Sequence, residues 1–177
     1  MRCTRWAAVF AVAVATFSSA PIALAHSASD AFLTLEAKPR TENAERVVTV
    51  QWDIALRDLD FVLGLDANGD GNITWGELRG QQAAIERYAH GFLQASADGK
   101  ACTVRPVRQM VANHADGAYA ALTFDFVCAG APSRLTLDYG MFFAVDPSHR
   151  CILVFRGRGG TSTALLSPQK ARIDLAL

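Results

Sequence analysis

The sequence predicts a mainly β protein, an Ig-like antiparallel β-sandwich that carries a helical insert. Through most of the chain after residue 30, apolar and polar residues alternate with a period of two. This alternation is typical of strands that bury one face. Over about residues 54–95 the apolar residues instead recur at three- and four-residue steps, as they do on one face of a helix. Several short strands separated by turn residues favour a sandwich.

The strands are predicted where the alternation is regular. Its clearest stretch runs from Ala120 to Cys128, where Leu122, Phe124 and Phe126 fall on one face. Turns are indicated by Asp-Gly pairs and by a glycine cluster at 157–160. The other predicted strands lie at about 33–36, 48–53, 102–111, 134–139, 151–156 and 161–166.

The insert is predicted as two helices joined by a loop. The first runs from Ile54 to Leu65, with Asp53 as a candidate N-cap. The second runs from Trp75 to about Leu93 and ends before an Asp-Gly turn. Its candidate buried positions are Leu78, Ala83, Ile85, Tyr88 and Phe92.

The connection between the helices, Asp66 to Glu77, carries oxygen-bearing residues at alternate positions. A tightly curled loop brings such residues to one centre, and calcium is a hard cation that takes six to eight oxygen ligands. Gly71 permits the sharp turn because it lacks a Cβ. Glu77 would supply both carboxylate oxygens, and Asn72 its backbone carbonyl. The predicted calcium ligands are Asp66, Asn68, Asp70, Asn72, Thr74 and Glu77.

This segment resembles the twelve-residue loop of EF-hand calcium-binding proteins. Ile73 stands where such a loop normally points inward, and Thr74 with Glu77 has the spacing of a capping box. The alternative is a turn that binds no metal. That alternative leaves Asp66, Asp70 and Glu77 close together without a cation, which is costly. The sequence has no second loop of this kind, so we expect a structural ion rather than a switch, with a dissociation constant on the order of 10⁻⁴ M or weaker.

The first 25 residues have the features of a secretory signal. Arg2 and Arg5 precede an apolar run, and cleavage is expected after Ala25, which leaves a single domain over residues 26–177. No later stretch offers the roughly 20 apolar residues of a transmembrane helix. Removing the two arginines leaves 15 basic against 17 acidic residues, so we expect no nucleic-acid partner. The predicted localisation is the bacterial periplasm or the exterior.

Three cysteines remain after signal cleavage, since Cys3 leaves with the signal. In an oxidising compartment two of them are expected to pair. Cys102 and Cys128 flank a predicted hairpin, so the favoured disulfide joins them. Cys151 is then left as either a buried or a reactive thiol.

A second metal site is an open alternative at the new N-terminus. After cleavage, the amine and imidazole of His26 can chelate copper or nickel if a second histidine lies nearby; His90, His114 and His149 are available. In that case the protein is a metal-delivery or docking accessory of a membrane transporter. A frayed terminus is the simpler explanation.

An enzyme is not expected, because no nucleophile, base or phosphate-binding motif stands out in the sequence. An acidic group lies before the loop and comprises Asp53, Asp58 and Asp60, with Arg57 among them. We interpret it as a helix cap and a solvated helix face rather than as paired catalytic carboxylates.

The run Trp52 to Asp60, with Gly64-Leu65-Asp66 and Ile73 to Arg79, resembles the extracytoplasmic N-terminal region of some bacterial membrane proteins of the HupE/UreJ type. Those proteins continue into transmembrane helices associated with metal handling. The resemblance implies an exported accessory portion and a membrane protein as a candidate partner. The transport role itself is not carried over.

Overall fold

The computed structural model describes residues 29–38, 45–105 and 108–177. Of these described residues, 54% lie in strands and 18% in helices, so the strands determine the fold. The predicted signal sequence and His26 lie outside the described residues.

Along the described ranges, the three helices lie between the second and third strands. The strands are β1 (Asp30–Ala37), β2 (Glu45–Ala55), β3 (Leu93–Ala97), β4 (Lys100–Ala101), β5 (Thr103–Val104), β6 (Arg108–His114), β7 (Gly117–Ala129), β8 (Arg134–Tyr139), β9 (Arg150–Gly157), β10 (Gly160–Leu166) and β11 (Arg172–Ala176). The helices are α1 (Leu56–Leu63), α2 (Trp75–Gly80) and α3 (Gln82–Phe92). None of the described helices is long and apolar enough to cross a lipid bilayer.

Within the described ranges the strands form two sheets, as the sequence predicts. The larger sheet has the order β10-β9-β1-β2-β7-β5, with β6 also paired to β7, and the smaller has the order β11-β8-β3-β4. The pairing of β1 with β9 is parallel, which departs from the purely antiparallel arrangement predicted. These two strands are far apart in sequence, so no hairpin imposes an antiparallel direction on them.

The core lies between the sheets and is built by alternate residues of the strands. Leu33 and Leu35 of β1, together with Trp52 of β2, are fully buried. The Trp52 ring meets Tyr139 of β8 edge-on, with 5.7 Å between ring centroids. This contact joins the larger sheet to the smaller one.

The first helix begins later than predicted because β2 continues through Ala55, which pairs with Tyr119 of β7. Ala55 is therefore the N-cap, and it makes no side-chain capping bond. The prediction that Asp53 caps this helix is wrong. Asp53 lies in β2, and its carboxylate is 3.0 Å from Nε2 of His114.

The second predicted helix is divided at Gln81 into α2 and α3. The break changes which positions face the core. Leu78, Ile85 and Ala89 are buried, whereas Ala83 is exposed and its prediction as a buried position is wrong. Tyr88 and Phe92 are partly buried against the core.

The strand predicted at 102–111 is replaced by the separate strands β4, β5 and β6. The predicted disulfide is confirmed: Cys102, between β4 and β5, is bonded to Cys128 of β7. Of the two alternatives for Cys151, the structure shows the buried thiol, which is inaccessible to solvent in β9. Burial raises the pKa of this thiol, so it stays protonated at neutral pH.

Reducing the disulfide should destabilise the protein. The bridge closes a segment with a sequence separation of 26 residues, and loop-closure entropy predicts a loss of about 3 kcal/mol in the free energy of unfolding. Urea denaturation of the wild type and of the double variant Cys102→Ser, Cys128→Ser measures this loss. Reductant should lower the stability of the wild type and leave the double variant unchanged; a wild type that is insensitive to reductant would contradict the prediction.

Candidate functional site

The Asp66–Glu77 loop connects α1 to α2, and its first residue is fixed by α1. Gly64 ends the helix in the left-handed conformation with φ 63°, and its N–H donates to the Asp60 carbonyl at 2.7 Å. The Asp66 N–H then donates to Oδ1 of the Asp60 side chain at 2.9 Å. Asp60 therefore accepts two hydrogen bonds at the point where the helix becomes the loop.

Both ends of the loop are anchored in the hydrophobic core. Leu65 immediately before it is fully buried, and Leu78 immediately after it is 2% exposed. Ile73 is partly buried against the same core, in the orientation that the sequence predicts. Residues 67–72 are exposed. The polar part of the loop thus projects into solvent from two fixed ends.

The backbone of the loop curls around the carboxylate of Asp66. Its Oδ1 accepts hydrogen bonds from the N–H groups of Gly69 at 2.8 Å and Asp70 at 3.2 Å. Its Oδ2 accepts from the Gly71 N–H at 2.8 Å. Gly71 has φ 83°, a conformation that side chains with a Cβ rarely adopt, and this explains the glycine at that position.

The next two predicted ligands also turn their oxygens toward the loop backbone. Oδ1 of Asn68 accepts from the Asp70 N–H at 2.9 Å, and Oδ1 of Asp70 accepts from the Asn72 N–H at 2.8 Å. The N–H of Asn72 beside it holds the pKa of the Asp70 carboxyl below its usual range. Asp70 is therefore ionised at neutral pH.

Glu77 links the two halves of the loop. Its Oε1 accepts from the Ala67 N–H at 3.0 Å, and its Oε2 accepts from the Thr74 N–H at 2.9 Å. Thr74 Oγ1 accepts from the Glu77 N–H, which completes the capping box that the sequence predicts. Hydrogen bonds from Thr74 lower the pKa of Glu77, so this carboxyl is also ionised.

The candidate metal ligands of the loop are all oxygen atoms, which suit a hard cation such as calcium better than zinc or copper. Among the described residues, no group of three or more His, Cys, Asp or Glu side chains is placed so that it could hold a metal ion. The carboxylates of Asp66, Asp70 and Glu77 instead accept bonds from loop N–H groups. The predicted ligand set also includes amide, carbonyl and hydroxyl oxygens, which come from residues other than His, Cys, Asp and Glu.

The neighbour of the loop is the turn between β6 and β7. A cleft of about 310 Å³ separates Gly71–Ile73 from residues 116–119. The turn is held by the Tyr119 hydroxyl, which donates to Oδ2 of Asp116 at 2.8 Å, and by Arg57, whose Nη2 lies 3.6 Å from the same oxygen. No sequence pattern predicts this proximity, because it arises from the pairing of strands that are far from the loop along the chain.

The predicted acidic group of Asp53, Asp58 and Asp60 is divided among different environments. Asp53 pairs with His114, whose ring stacks on Phe32 at a centroid distance of 4.6 Å. Asp60 braces the loop, as described above. Asp58 joins a second polar cluster that sequence reasoning missed.

This cluster is centred on His149, which is fully buried. Its Nδ1 is 2.6 Å from Oγ of Ser29, and its Nε2 is 2.7 Å from the Tyr139 hydroxyl. Ser29 donates its own proton to Oδ2 of Asp58 at 2.8 Å, so it accepts from the N–H at Nδ1 of His149. Nε2 then accepts from Tyr139. Burial lowers the pKa of His149 to about 4, so the ring is neutral.

The histidines considered as partners for a metal at His26 have other contacts. Both ring nitrogens of His149 are in hydrogen-bonding contact, and His114 faces Asp53. The ring of His90 stands edge-on to Phe124 with 5.1 Å between centroids. The chelate at His26 stays a prediction, since that residue lies outside the described ranges.

Comparison with protein-family models found no match to the chain, and comparison with curated proteins found none either.

Stability should fall as the pH falls from about 6.5 to 4, because His149 stays neutral in the folded state. Above pH 6.5 the ring is neutral in both states and its contribution is fully present; below that pH the unfolded chain takes up a proton that the folded one refuses. The expected loss is about 2 kcal/mol in the free energy of unfolding. Among its charged neighbours, Asp146 favours protonation and Arg150 opposes it.

Urea denaturation from pH 7.5 to 4.5 of the wild type and of His149→Gln measures this effect. The variant should lose less stability than the wild type over this range. NMR titration of the His149 ring gives an independent value, and a folded-state pKa near 6.5 would contradict the prediction.

Proposed function

We propose that this protein is an exported calcium-binding module in which the Asp66–Glu77 loop holds one calcium ion with a structural role. The observation that carries the proposal is the arrangement of the loop. Oxygen-bearing side chains at alternate positions are drawn around one curled backbone, and both ends of that backbone are anchored in the core.

Each predicted ligand has a defined part in this proposal. The side chains of Asp66, Asn68 and Asp70 would supply the first oxygens, and Asn72 would supply its backbone carbonyl. Thr74 would contribute through its hydroxyl or a water, and Glu77 through its carboxylate. The ion would supply positive charge to a loop whose carboxylates, among the described residues, accept hydrogen bonds from N–H and hydroxyl groups. The chain would supply the anchored ends of the loop.

A structural role is favoured over a switch by the way the helices are held. Leu65 and Leu78 are buried on either side of the loop, and Leu59 of α1 is fully buried as well. Opening the helices in the manner of a calcium sensor would expose these side chains, at about 1.5–3 kcal/mol each. Calcium would then tie α1 to α2 in the arrangement already set by the core.

Export is supported by the signal-like sequence of residues 1–25, which is itself a prediction, and by the disulfide, since disulfides persist in oxidising compartments. Calcium sites of extracellular modules are typically this weak, with dissociation constants of about 10⁻⁴–10⁻³ M.

Calcium should stabilise the protein and change its fluorescence, because Trp75 is 57% exposed and lies between Thr74 and Glu77 of the loop. With a dissociation constant on the order of 10⁻⁴ M, 10 mM calcium should add about 2.7 kcal/mol to the free energy of unfolding. Terbium bound in the loop should be sensitised by excitation of Trp75. Thermal unfolding and emission spectra measure both effects.

Glu77→Gln should remove most of the response to calcium, whereas Glu36→Gln on the exposed face of β1 should retain it. A melting temperature and a fluorescence spectrum that ignore millimolar calcium would contradict the proposal. Calorimetric titration of the mature chain with calcium, copper and nickel in turn distinguishes this function from the alternative chelate at His26.

The loop conformation can be tested with a pair of glycine variants. Gly71→Ala places a Cβ at φ 83°, which costs about 1–2 kcal/mol and should weaken calcium binding roughly tenfold. No heavy atom beyond the adjacent residues lies within 4 Å of the added Cβ, so the cost is conformational. Gly80→Ala, in α2 beyond the loop and without a positive φ, is the matched control and should bind calcium like the wild type. Equal affinities for the two variants would contradict the assigned loop geometry.

A further inference from the structure

A second cavity, of about 330 Å³, lies between α1 and the segment that precedes β9. Its volume is within the range of roughly 300–1,000 Å³ that is usual for small-molecule sites. It is lined by Ser29, Arg57, Asp58, Phe61, Phe142, Val145 and Asp146. None of these residues is a predicted ligand of the calcium loop.

One wall of this cavity is apolar and open to water. Phe61 is 78% exposed and Val145 is 51% exposed, although both are large hydrophobic side chains. Phe142 completes the wall and has φ 62°, an unusual value for a residue with a side chain. Its carbonyl accepts hydrogen bonds from the N–H groups of Val145 at 2.9 Å and Asp146 at 2.7 Å, which hold the turn in place. An apolar ligand group here would remove Phe61 from water.

The other side of the cavity is polar and carries two carboxylates. Asp58 is largely buried and accepts a hydrogen bond from Ser29, which is itself fixed by the neutral His149. Oδ1 of Asp146 accepts from the N–H of Ser148 at 2.8 Å and from its hydroxyl. Burial raises the pKa of Asp58, because its charge is only partly compensated by Ser29 and Arg57.

Arg57 does not neutralise the cavity. Its Nε lies 3.5 Å from Asp58, and its Nη2 lies 3.6 Å from Asp116 in the β6–β7 turn. One guanidinium thus serves two carboxylates, and Asp146 adds a third negative charge. An anion would meet net repulsion here, and a metal ion would meet an apolar wall where it needs oxygens.

We propose that this cavity binds a small organic cation, namely a primary ammonium carried on an apolar body. The ammonium lies at Asp58 and Asp146, and the apolar body packs against Phe61, Phe142 and Val145. Charge-assisted hydrogen bonds fix the orientation of the ligand. Burial of the apolar wall supplies the apolar part of the binding free energy. The proposal uses residues outside the calcium loop and does not depend on calcium binding.

The test is an NMR titration of the mature protein with phenethylamine in the presence of calcium. Two probes of similar size serve as comparisons: the neutral 2-phenylethanol and the anionic 3-phenylpropionate. Phenethylamine should bind with a dissociation constant in the millimolar range or below, at least tenfold more tightly than either comparison. Resonances of Phe61 and of residues 142–146 should shift most.

Two variants test the two walls. Asp146→Asn and Phe61→Ala should each weaken phenethylamine binding at least fivefold. Their matched controls, Asp98→Asn in an exposed turn and Met110→Ala on exposed β6, should bind like the wild type. Asp146 and Phe61 are partly or largely exposed, so both variants are expected to fold.

The proposal is overturned if phenethylamine does not bind at 10 mM, if the alcohol binds equally well, or if Asp146→Asn leaves the affinity unchanged. A response that is lost in Glu77→Gln but kept in Asp146→Asn would place the amine at the loop instead. That outcome would overturn this proposal and leave calcium binding standing.

Discussion

The position of the helical insert depends on the burial of its apolar side chains in the core of the strands. Leu59, Leu65, Leu78 and Ile85 are all 2% exposed or less. Burial of a leucine-sized side chain contributes about 1.5–3 kcal/mol, and α1 is far too short to be stable by itself. The sheets therefore hold the helices, and the helices in turn hold the loop and the second cavity.

Helix α1 connects the polar features of the molecule. Asp60 accepts the hydrogen bond that begins the loop, and Arg57 reaches the β6–β7 turn. Asp58 and Phe61 line the cavity. Because one eight-residue helix contributes to all of these, the geometry of each depends on the same buried face of Leu56 and Leu59.

A chain of hydrogen bonds between buried and partly buried polar groups also links the insert to the strands. His149 links Ser29, next to β1, to Tyr139 of β8, and Asp58 extends this chain to α1. A neutral imidazole suits this place because each ring nitrogen has one partner and no buried charge is created. The disulfide adds a covalent tie between β7 of the larger sheet and the segment between β4 and β5. In that segment the chain passes from the smaller sheet to the larger one.

Features that depend on local spacing are predictable from the sequence. Period-two alternation predicts β1, β2 and β7 to β10 but misses β3 and β11. The Thr74 and Glu77 spacing predicts the capping box, and cysteine placement predicts the Cys102–Cys128 bridge. Features that depend on partners distant in the sequence are not predictable in this way. Asp53 looked like a helix cap, but pairing with β7 keeps it in β2. Likewise, Ser29 and His149 meet because β1 pairs in parallel with β9, and Asp58 reaches them from α1; no local periodicity encodes these contacts.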